Sequence, residues 1–321
     1  MKPGGLSCRR KSRNEAPILL NHNLAGEKMN IGLLNLEPKY KNLALEKLRI
    51  YHQAKGNCVE DYFGLNHYDE VYCSSIFTFT KKYIIPERAI CGGSGFDLIT
   101  NLPPEIEEIK PHLNFGFTTR GCIRHCPFCI VPEKEGKVRV VGDLLDLWDG
   151  KLKDIVVMDN NILAIPSQFY KVCQQAIDNK IRLDFNQGLD HRLITPQIAQ
   201  MMAKTSHIEY RLAFDHPSYL PTAEKAIILL REAGIQRANW YVLVGYNTTP
   251  KEDLWRLNYL RGMGQRAFVQ RYETHYSEPF YQALSEWTNQ HRFFATKTFE
   301  QFVELRADRR KNRKQIIKEL E

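Results

Sequence analysis

Three cysteines stand close together in the segment Arg120-Gly121-Cys122-Ile123-Arg124-His125-Cys126-Pro127-Phe128-Cys129. Their spacing is C-x3-C-x2-C, and thiolates are the ligands of both zinc centres and iron–sulfur clusters. A cubane [4Fe–4S] cluster has four irons and usually takes four thiolates, so three thiolates leave one iron without a protein ligand. A metal centre that does chemistry needs such an open position. The segment therefore predicts a [4Fe–4S] cluster on Cys122, Cys126 and Cys129.

Two other uses of these cysteines stay open as alternatives. A structural zinc site can combine a C-x2-C pair with a third cysteine, and His125 would be the fourth ligand. However, His125 is adjacent to Cys126, and neighbouring side chains rarely point at one metal ion. The sequence also contains no second C-x2-C pair that would complete a four-thiolate zinc site. A disulfide is the second alternative, and it is disfavoured in a chain without a secretion signal.

The cysteine spacing and its flanks, Arg-Gly-Cys-x3-Cys-Pro-Phe-Cys, resemble the radical S-adenosylmethionine (SAM) superfamily, closest to its cobalamin-domain and methylthiotransferase branch. The resemblance implies that the open iron binds the amino and carboxylate groups of SAM. It also implies that an electron, from a reductant such as flavodoxin or ferredoxin, splits the sulfonium to a 5′-deoxyadenosyl radical that abstracts hydrogen. Three hypotheses follow: an enzyme that modifies a nucleic acid or nucleotide, an enzyme that acts on a small molecule or peptide, and an iron–sulfur electron-transfer protein without turnover.

From Asn114 onward the sequence alternates apolar runs with helical stretches, which predicts an α/β fold with a parallel sheet and crossover helices. The predicted strands are Phe115–Thr118, Ile155–Met158, Arg182–Asn186, Glu209–Phe214, Trp240–Val244 and Ala267–Arg271. The predicted helices are Pro166–Asn179, Thr195–Lys204, Tyr219–Ala233 and Lys251–Gly262. The resemblance implies that these six units form a partial (β/α)6 barrel of the TIM type, with the cysteine loop after its first strand.

The rest of the chain divides into three parts around this predicted barrel, which spans residues 112–286. Residues 1–28 lack apolar periodicity and are predicted to be a disordered leader. Residues 29–111 are predicted to form a small α/β domain, which resembles a smaller, degenerate version of a cobalamin-binding domain. Residues 287–321 are rich in phenylalanine and then basic, and they are predicted to be a helical tail.

The first domain offers two further cofactor hypotheses. The cobalamin-binding family uses the motif D-x-H-x-x-G, but Tyr51-His52-Gln53-Ala54-Lys55-Gly56 lacks the aspartate and has another histidine-to-glycine spacing. The sequence therefore argues against cobalamin. Methylthiotransferases carry a second cluster on three N-terminal cysteines, and Cys58, Cys73 and Cys91 are three in number although their neighbours differ. A second cluster stays an alternative.

Polar residues directly follow the second predicted barrel strand. Parallel βα barrels carry their reactive groups at the C-terminal ends of strands. Asp159, Asn160 and Asn161 stand there, where the resemblance implies contact with the SAM amino group. Carboxylate and amide oxygens can accept from an ammonium group, and amide N–H groups can donate to a carboxylate, which suits that role. The alternative is an Asx turn that caps the next helix.

The third and fourth strands are also followed or occupied by polar side chains. By resemblance, Gln187, Arg211 and Asp215 face the barrel lumen and touch SAM or the substrate. Arg211 can clamp a carboxylate through two hydrogen bonds, and Asp215 can accept from ribose hydroxyls. The alternative for each residue is an ion pair inside the lumen.

By resemblance, three residues are expected near the adenosine part of SAM. Gly245 and Tyr246 follow the fifth strand, where the glycine allows the backbone to approach a ligand. Phe128 occupies the aromatic position of the cluster loop, and the resemblance implies that the backbone at this position contacts adenine. Tyr246 would add packing there.

Composition sets broader limits. The 321 residues carry a formal net charge of +8, which is compatible with a nucleic-acid partner. The C-terminal region also has a basic run, which consists of Arg306, Arg309, Arg310, Lys311, Arg313 and Lys314. No run of about 18 apolar residues exists, so no membrane span is predicted. Eight cysteines without a secretion signal predict reduced thiols and a cytoplasmic location.

Overall fold

A computed structural model describes residues 28–83, 85–306 and 313–319. Residues 1–27 of the predicted leader, and Arg309, Arg310 and Lys311 of the basic C-terminal run, lie outside these residues. The chain divides into two compact units between His112 and Leu113. Both units combine helices with parallel strands, so the predicted α/β class is confirmed.

The first unit is built on one parallel sheet with strand order β2-β1-β3-β4. The strands are β1 (Asn30–Asn35), β2 (Cys58–Asp61), β3 (Glu70–Ser74) and β4 (Ile90–Gly92), and the helices are α1 (Leu43–Ala54) and α2 (Pro104–Glu107). Helix α1 begins at Asn42, whose side chain accepts a hydrogen bond from the Leu45 amide at 3.2 Å. The core of this unit consists of Ile31, Leu33, Leu45, Leu48, Tyr72 and Ile106. Strand β2 was not predicted, because its residues are mostly polar and it lies at the sheet edge.

The second unit contains the predicted alternation of strands and helices. Its strands are β5 (Phe115–Gly116), β6 (Thr119–Arg120), β7 (Arg139–Val140), β8 (Asp154–Val157), β9 (Arg182–Phe185), β10 (Arg211–Ala213), β11 (Asn239–Val244) and β12 (Arg266–Arg271). Its helices are α3 (Val131–Lys134), α4 (Pro166–Asp178), α5 (Pro196–Lys204), α6 (Leu220–Glu232), α7 (Pro250–Gly262), α8 (Pro279–Asn289), α9 (His291–Thr296), α10 (Phe299–Leu305) and α11 (Arg313–Lys318).

The parallel strands of this unit form two sheets, with orders β5-β8-β9 and β10-β11-β12. Two isolated parallel bridges, Leu183 with His207 and Leu189 with Leu212, join the segments around β9 to those around β10. The six strands therefore follow one another in sequence order. Within the described residues no ladder joins β5 to β12, so the strands do not close into a barrel.

The first predicted strand of the unit, Phe115–Thr118, is shorter than expected. It ends at Gly116, because the Thr118 amide donates to the Asp159 carboxylate at 2.6 Å instead of to a neighbouring strand. The chain then enters β6, which pairs antiparallel with β7. In the described residues between β5 and β8, the four-residue helix α3 and the β6–β7 ladder take the place of a long crossover helix.

The C-terminal segment packs into the same core as the strands. Trp287, Phe294, Phe299, Phe302 and Ile316 are all buried in the hydrophobic cluster that also surrounds β8 to β12. The Trp287 indole donates to the Lys297 carbonyl at 3.0 Å. This part of the predicted tail is thus an integral layer of the second unit. In the described residues, no helix has both the length and the apolar character to span a membrane.

Candidate functional site

The three cysteines of the C-x3-C-x2-C segment lie on the loop between β6 and α3, and each is partly exposed and reduced. The Cys129 amide donates to the Cys126 carbonyl at 2.9 Å, which bends the loop between these two residues. Two backbone amides point at sulfur: Arg124 N–H at Cys122 Sγ (3.3 Å) and Val131 N–H at Cys129 Sγ (3.5 Å). Hydrogen bonds of this kind adjust the potential of iron–sulfur clusters.

The base of this loop is closed by a tight backbone crossing at Gly121. Its φ is +81°, a left-handed value that favours glycine. A Cβ there would collide with the carbonyl oxygens of Gly136 and Lys137. The β6–β7 ladder and an ion pair between Arg120 and Glu135, 2.8 Å long, hold the same two segments together. These contacts therefore fix the position of the backbone at Gly121, directly before the first cysteine of the loop.

The thiols of Cys126 and Cys129 are close enough to Cys122 for their charges to interact. Burial raises the pKa of both thiols, and the neighbouring thiols raise it further. A metal centre takes thiolates, so its binding here would release protons. No three Cys, His, Asp or Glu side chains in the described ranges converge on a single-ion site. His125, the alternative zinc ligand, is exposed. Three soft thiolates with amide donors form a donor set that suits an iron–sulfur cluster.

The three side chains after β8 differ in their hydrogen bonding. Asp159 forms hydrogen bonds within the protein, whereas Asn160 and Asn161 each have one polar atom without a partner in the described structure. Asp159 is buried, and its carboxylate accepts from the Thr118 amide and from the Thr118 hydroxyl at 2.5 Å. Burial raises the pKa of Asp159, and these hydrogen bonds partly offset the rise. In the described structure, Asn160 Nδ2 and Asn161 Oδ1 are buried without a hydrogen-bond partner. A ligand with both donors and acceptors would satisfy them.

Asn161 also connects the cysteine loop to a charged network that the sequence did not predict. Its Nδ2 lies 3.5 Å from Cys122 Sγ and 3.4 Å from the Asp190 carboxylate. Asp190 pairs with Arg124 of the cysteine loop at 2.9 Å and with Arg192 at 2.6 Å. Burial raises the pKa of Asp190, but the two guanidinium groups outweigh it and hold the pKa below its ordinary value. Burial raises the pKa of Cys126, and the positive charge of Arg192 partly offsets this rise.

Arg211 lies in an ion pair instead of standing free. Its guanidinium binds the Asp184 carboxylate through two hydrogen bonds of 2.6 and 3.1 Å, and it also contacts Glu209 at 3.0 Å. The Tyr241 hydroxyl lies 3.2 Å from the same group. This arrangement is an ion pair, which the sequence left open as the alternative to a carboxylate clamp. Gln187 is exposed, and its amide reaches Met158 Sδ at 3.9 Å.

Asp215 lies near the cysteine loop, as its charge raises the pKa of Cys126 and Cys129. One of its oxygens accepts from the Leu243 amide at 3.1 Å. Removal from water raises the pKa of Asp215, and the Leu243 amide and the charge of Arg256 partly counter this.

An aromatic row links the cysteine loop to the ends of β11 and β12. The rings of Phe128 and Tyr246 meet edge to face with centroids 5.2 Å apart. Tyr246 in turn meets Tyr272, which follows β12, at 4.8 Å. The structure therefore brings the predicted residues Phe128 and Tyr246 together. Tyr272 was missed, although its place directly after a predicted strand was the available signal.

The turn at Gly245 is held by a buried ion pair on α7. The Gly245 amide donates to Asp253 at 2.9 Å, and Asp253 pairs with Arg256, both side chains being fully buried. Arg256 also donates to the carbonyls of Phe214 and Leu243 at 2.6 and 2.8 Å. Gly245 has φ +78°, and a Cβ there would stand 2.5 Å from the His275 ring. The predicted glycine is thus required by close packing against a side chain.

The cysteines of the first unit do not form a comparable group. Cys73 and Cys91 are direct neighbours on β3 and β4. Cys58 lies on β2, on the other side of β1, and its partner there is Asn30 whereas that of Cys73 is Leu34. Cys58 and Cys73 are therefore separated by two strand spacings across the sheet and by four residues along it, which corresponds to about 16 Å. The structure therefore gives no support to a second cluster on these residues. His52 is buried between Tyr72 and Asn57, at 3.2 and 3.1 Å.

No protein-family model matches this sequence, and no curated protein sequence matches it significantly.

Proposed function

We propose that this chain is a radical SAM enzyme that binds a [4Fe–4S] cluster through Cys122, Cys126 and Cys129. The observation that carries the proposal is the cysteine loop beside two unsatisfied asparagines at the end of β8. The finer fold that we propose is a partial (β/α)6 barrel. Its support is the sequence order of the six parallel strands, with the cysteine loop following the first of them.

The chain's own residues suit the two ends of a bound SAM. The amide groups of Asn160 and Asn161 have a free donor and a free acceptor among the described atoms, which match a carboxylate and an ammonium group. The positive charge of Arg192 acts on Cys126, and the Arg192 side chain is partly exposed. The Phe128–Tyr246 pair offers an apolar face for an adenine ring. Asp159 and Arg211 are assigned to holding the strand ends in place.

When bound, the cluster and SAM would supply reductive cleavage of the sulfonium and hydrogen abstraction from a substrate. The protein contributes orientation and exclusion of water. The aromatic row of Phe128, Tyr246 and Tyr272 would cover the side of the cysteine loop that faces β11 and β12. The proposal requires a one-electron donor, for which flavodoxin and ferredoxin are the candidates. The substrate, whether a nucleic acid, a small molecule or a peptide, is a separate question.

The test has two steps. Anaerobic reconstitution with iron and sulfide should give about four irons per chain in the parent and almost none in the triple variant C122A/C126A/C129A. Cys58→Ala is the matched control, because it removes an exposed cysteine of the first unit and should leave the iron content unchanged. The reconstituted parent should then release 5′-deoxyadenosine from SAM when dithionite is added.

Two results would contradict the proposal. Full iron content in the triple variant would place the metal elsewhere in the chain. A parent that holds about four irons but never cleaves SAM would favour an iron–sulfur electron-transfer protein instead.

A further inference from the structure

The cysteine loop has an inner and an outer side. From Cys122 to Phe128 exposure alternates along it, and the side chains at even-numbered positions are partly covered whereas those between them are exposed. The covered side chains are the ones that contact the rest of the site, since Arg124 pairs with Asp190 and Phe128 meets the Tyr246 ring. The outer loop face, as we call it, consists of the exposed residues Ile123, His125, Pro127, Ile130, Lys137 and Arg139.

Two isoleucines of this face are one peptide group away from the cysteine sulfurs. The peptide group between Ile123 and Arg124 donates its N–H to Cys122 Sγ at 3.3 Å. The peptide group that follows Ile130 donates to Cys129 Sγ at 3.5 Å. Ile123 is 45% exposed and Ile130 48%, although isoleucine is among the residues most often buried. A protein seated on these two side chains would therefore come close to any centre on the cysteines.

The outer loop face carries positive charge. Residues 120–140 contain five Lys or Arg and two Glu. Glu135 is used internally, because it pairs with Arg120. Among the exposed Lys, Arg, Asp and Glu side chains of this segment there are two cations, Lys137 and Arg139, and one anion, Glu133. Apolar side chains beside a net positive charge fit a partner that has an apolar contact area with acidic surroundings.

Other occupants fit this face less well. A symmetric contact with a second copy of the chain would place Lys137 and Arg139 opposite the same cations. A nucleic acid would meet two cations but no Phe, Tyr or Trp ring of the outer loop face on which a base could stack. A small contact area is typical of electron-transfer complexes, which bury less than about 1,200 Å² and form transiently.

From these observations we propose that the outer loop face is the docking surface of the one-electron donor, a small acidic protein that carries its electron on an exposed cofactor. The inference rests on the proposed function, because it requires a cluster on the three cysteines. One electron would leave the donor and enter the cluster, without transfer of a proton or a group. Docking on the outer side leaves the side that faces Asn161 to SAM. Opposite charges would also raise the rate of encounter at low salt.

The first measurement is binding to the full chain without a cluster, which tests the surface independently of turnover. A bacterial flavodoxin and a bacterial ferredoxin, each with a fluorescent label, are titrated separately in about 20 mM salt, where surface charges are little screened. K137E/R139E should weaken binding about tenfold or more. K204E/K225E is the matched control, because it changes the net charge of the chain equally at exposed lysines of α5 and α6, and it should leave the affinity unchanged.

A second variant tests the apolar part of the face. I123A/I130A should weaken binding about threefold to tenfold, because it loses apolar contact area but retains both peptide N–H groups. Its iron content after reconstitution should equal that of the parent, which shows that the loop still assembles the cluster.

The second measurement is the rate at which the reduced carrier reduces the reconstituted chain, followed by the loss of cluster absorbance. At low carrier concentration K137E/R139E should be reduced more slowly than the parent and than K204E/K225E. Dithionite needs no docking surface, so it should reach the same extent of reduction in every protein.

The outcomes separate this inference from the proposed function. The inference is overturned if neither carrier binds the parent, if K137E/R139E and K204E/K225E bind alike, or if a single-stranded RNA of about 12 nucleotides displaces the carrier and binds more tightly. In each of these cases, cleavage of SAM by the parent with dithionite would leave the proposed function standing. A parent that assembles no cluster overturns both. Circular dichroism of each variant excludes loss of folding as the cause.

Discussion

The Asn161 side chain lies between Cys122 and Asp190, with its Nδ2 3.5 Å from the sulfur and 3.4 Å from the carboxylate. It therefore joins the cysteine loop after β6, the end of β8 and the segment after β9 through one amide group. Because Asp190 also binds Arg124 of the cysteine loop, the loop is held to this position twice. A metal centre on the three cysteines would therefore be held in a fixed position relative to the ends of β8 and β9.

The first prediction follows from the hydrogen bond to sulfur. Replacing Asn161 by Ala should lower the midpoint potential of the bound cluster, because an N–H donor to a thiolate stabilises the more negative, reduced state. Redox titration followed by electron paramagnetic resonance gives the potential. Asn160→Ala is the control, since among the described atoms Asn160 Nδ2 has no partner to lose. That variant should keep the potential and weaken SAM binding; equal potentials in all three proteins would contradict the role of Asn161.

The cysteine loop and most elements of the second unit were predictable from local patterns. The spacing of Cys122, Cys126 and Cys129 is contained in ten residues, and β8 to β12 begin or end within about two residues of the predicted apolar runs. The split of the first strand was not predictable, because it depends on the Asp159 carboxylate, 41 positions away from Thr118. Local patterns carry no information on such a pairing.

The ion pairs around the site could not be predicted from the sequence either, because their partners lie on different segments of the chain. Arg256 reads in the sequence as an exposed residue of α7, yet it is fully buried and donates to carbonyls on two other segments. Asp190 lies two and 66 residues from its partners Arg192 and Arg124, and the pairing with Arg124 exists only in three dimensions. A buried arginine is rare, and only its partners explain it.

The second prediction concerns the glycine that begins the cysteine loop. Gly121→Ala should prevent cluster assembly although all three cysteines remain, because the new Cβ would meet two carbonyl oxygens of residues 136 and 137. Gly150→Ala is a well-matched control: its φ of +77° imposes similar backbone strain, but no atom lies within 4 Å of the added Cβ. Iron content after reconstitution should fall in the first variant and stay at the parent value in the second. Equal iron contents would show that the loop tolerates the crowding.

The third prediction decides between the two roles of Arg211. As the partner of Asp184 and Glu209, its replacement by Ala should reduce the free energy of unfolding by about 2–4 kcal/mol, since the buried Asp184 loses its counter-charge and Glu209 keeps only the longer pair with Arg266, at 3.5 Å. Arg182→Ala breaks an exposed pair with Asp154 and should cost less than about 1 kcal/mol. Urea unfolding of the cluster-free proteins gives both values.

SAM binding to the reconstituted Arg211→Ala protein completes this test. A purely structural role leaves the dissociation constant of the folded fraction close to that of the parent. A ten- to hundredfold weaker affinity with unchanged stability would instead assign Arg211 to the SAM carboxylate, the role that the family resemblance implies.

The last prediction is a pH dependence of stability that arises from His52. Burial, and then the charge of Lys55, lower the pKa of His52 to about 4 in the folded protein, whereas an unfolded histidine titrates near 6.5. Between these values the unfolded chain binds a proton that the folded chain excludes, so stability falls as the pH is lowered from about 6.5 to about 4. Above this window both states are neutral, and below it both are charged. The loss between pH 7.5 and pH 5 should be about 2 kcal/mol for this one group.

His52→Gln should remove this contribution, because an amide can still reach the Tyr72 hydroxyl, which lies 3.2 Å from His52 Nε2, but does not titrate. Urea unfolding of the cluster-free protein, followed by circular dichroism, should show a smaller difference between the two pH values in the variant than in the parent. His67→Gln removes an exposed histidine of the same unit, and its profile should overlay that of the parent. If His52→Gln and the parent lose the same stability on acidification, His52 is already protonated in the folded state, and its burial between Tyr72 and Asn57 does not exclude the charge.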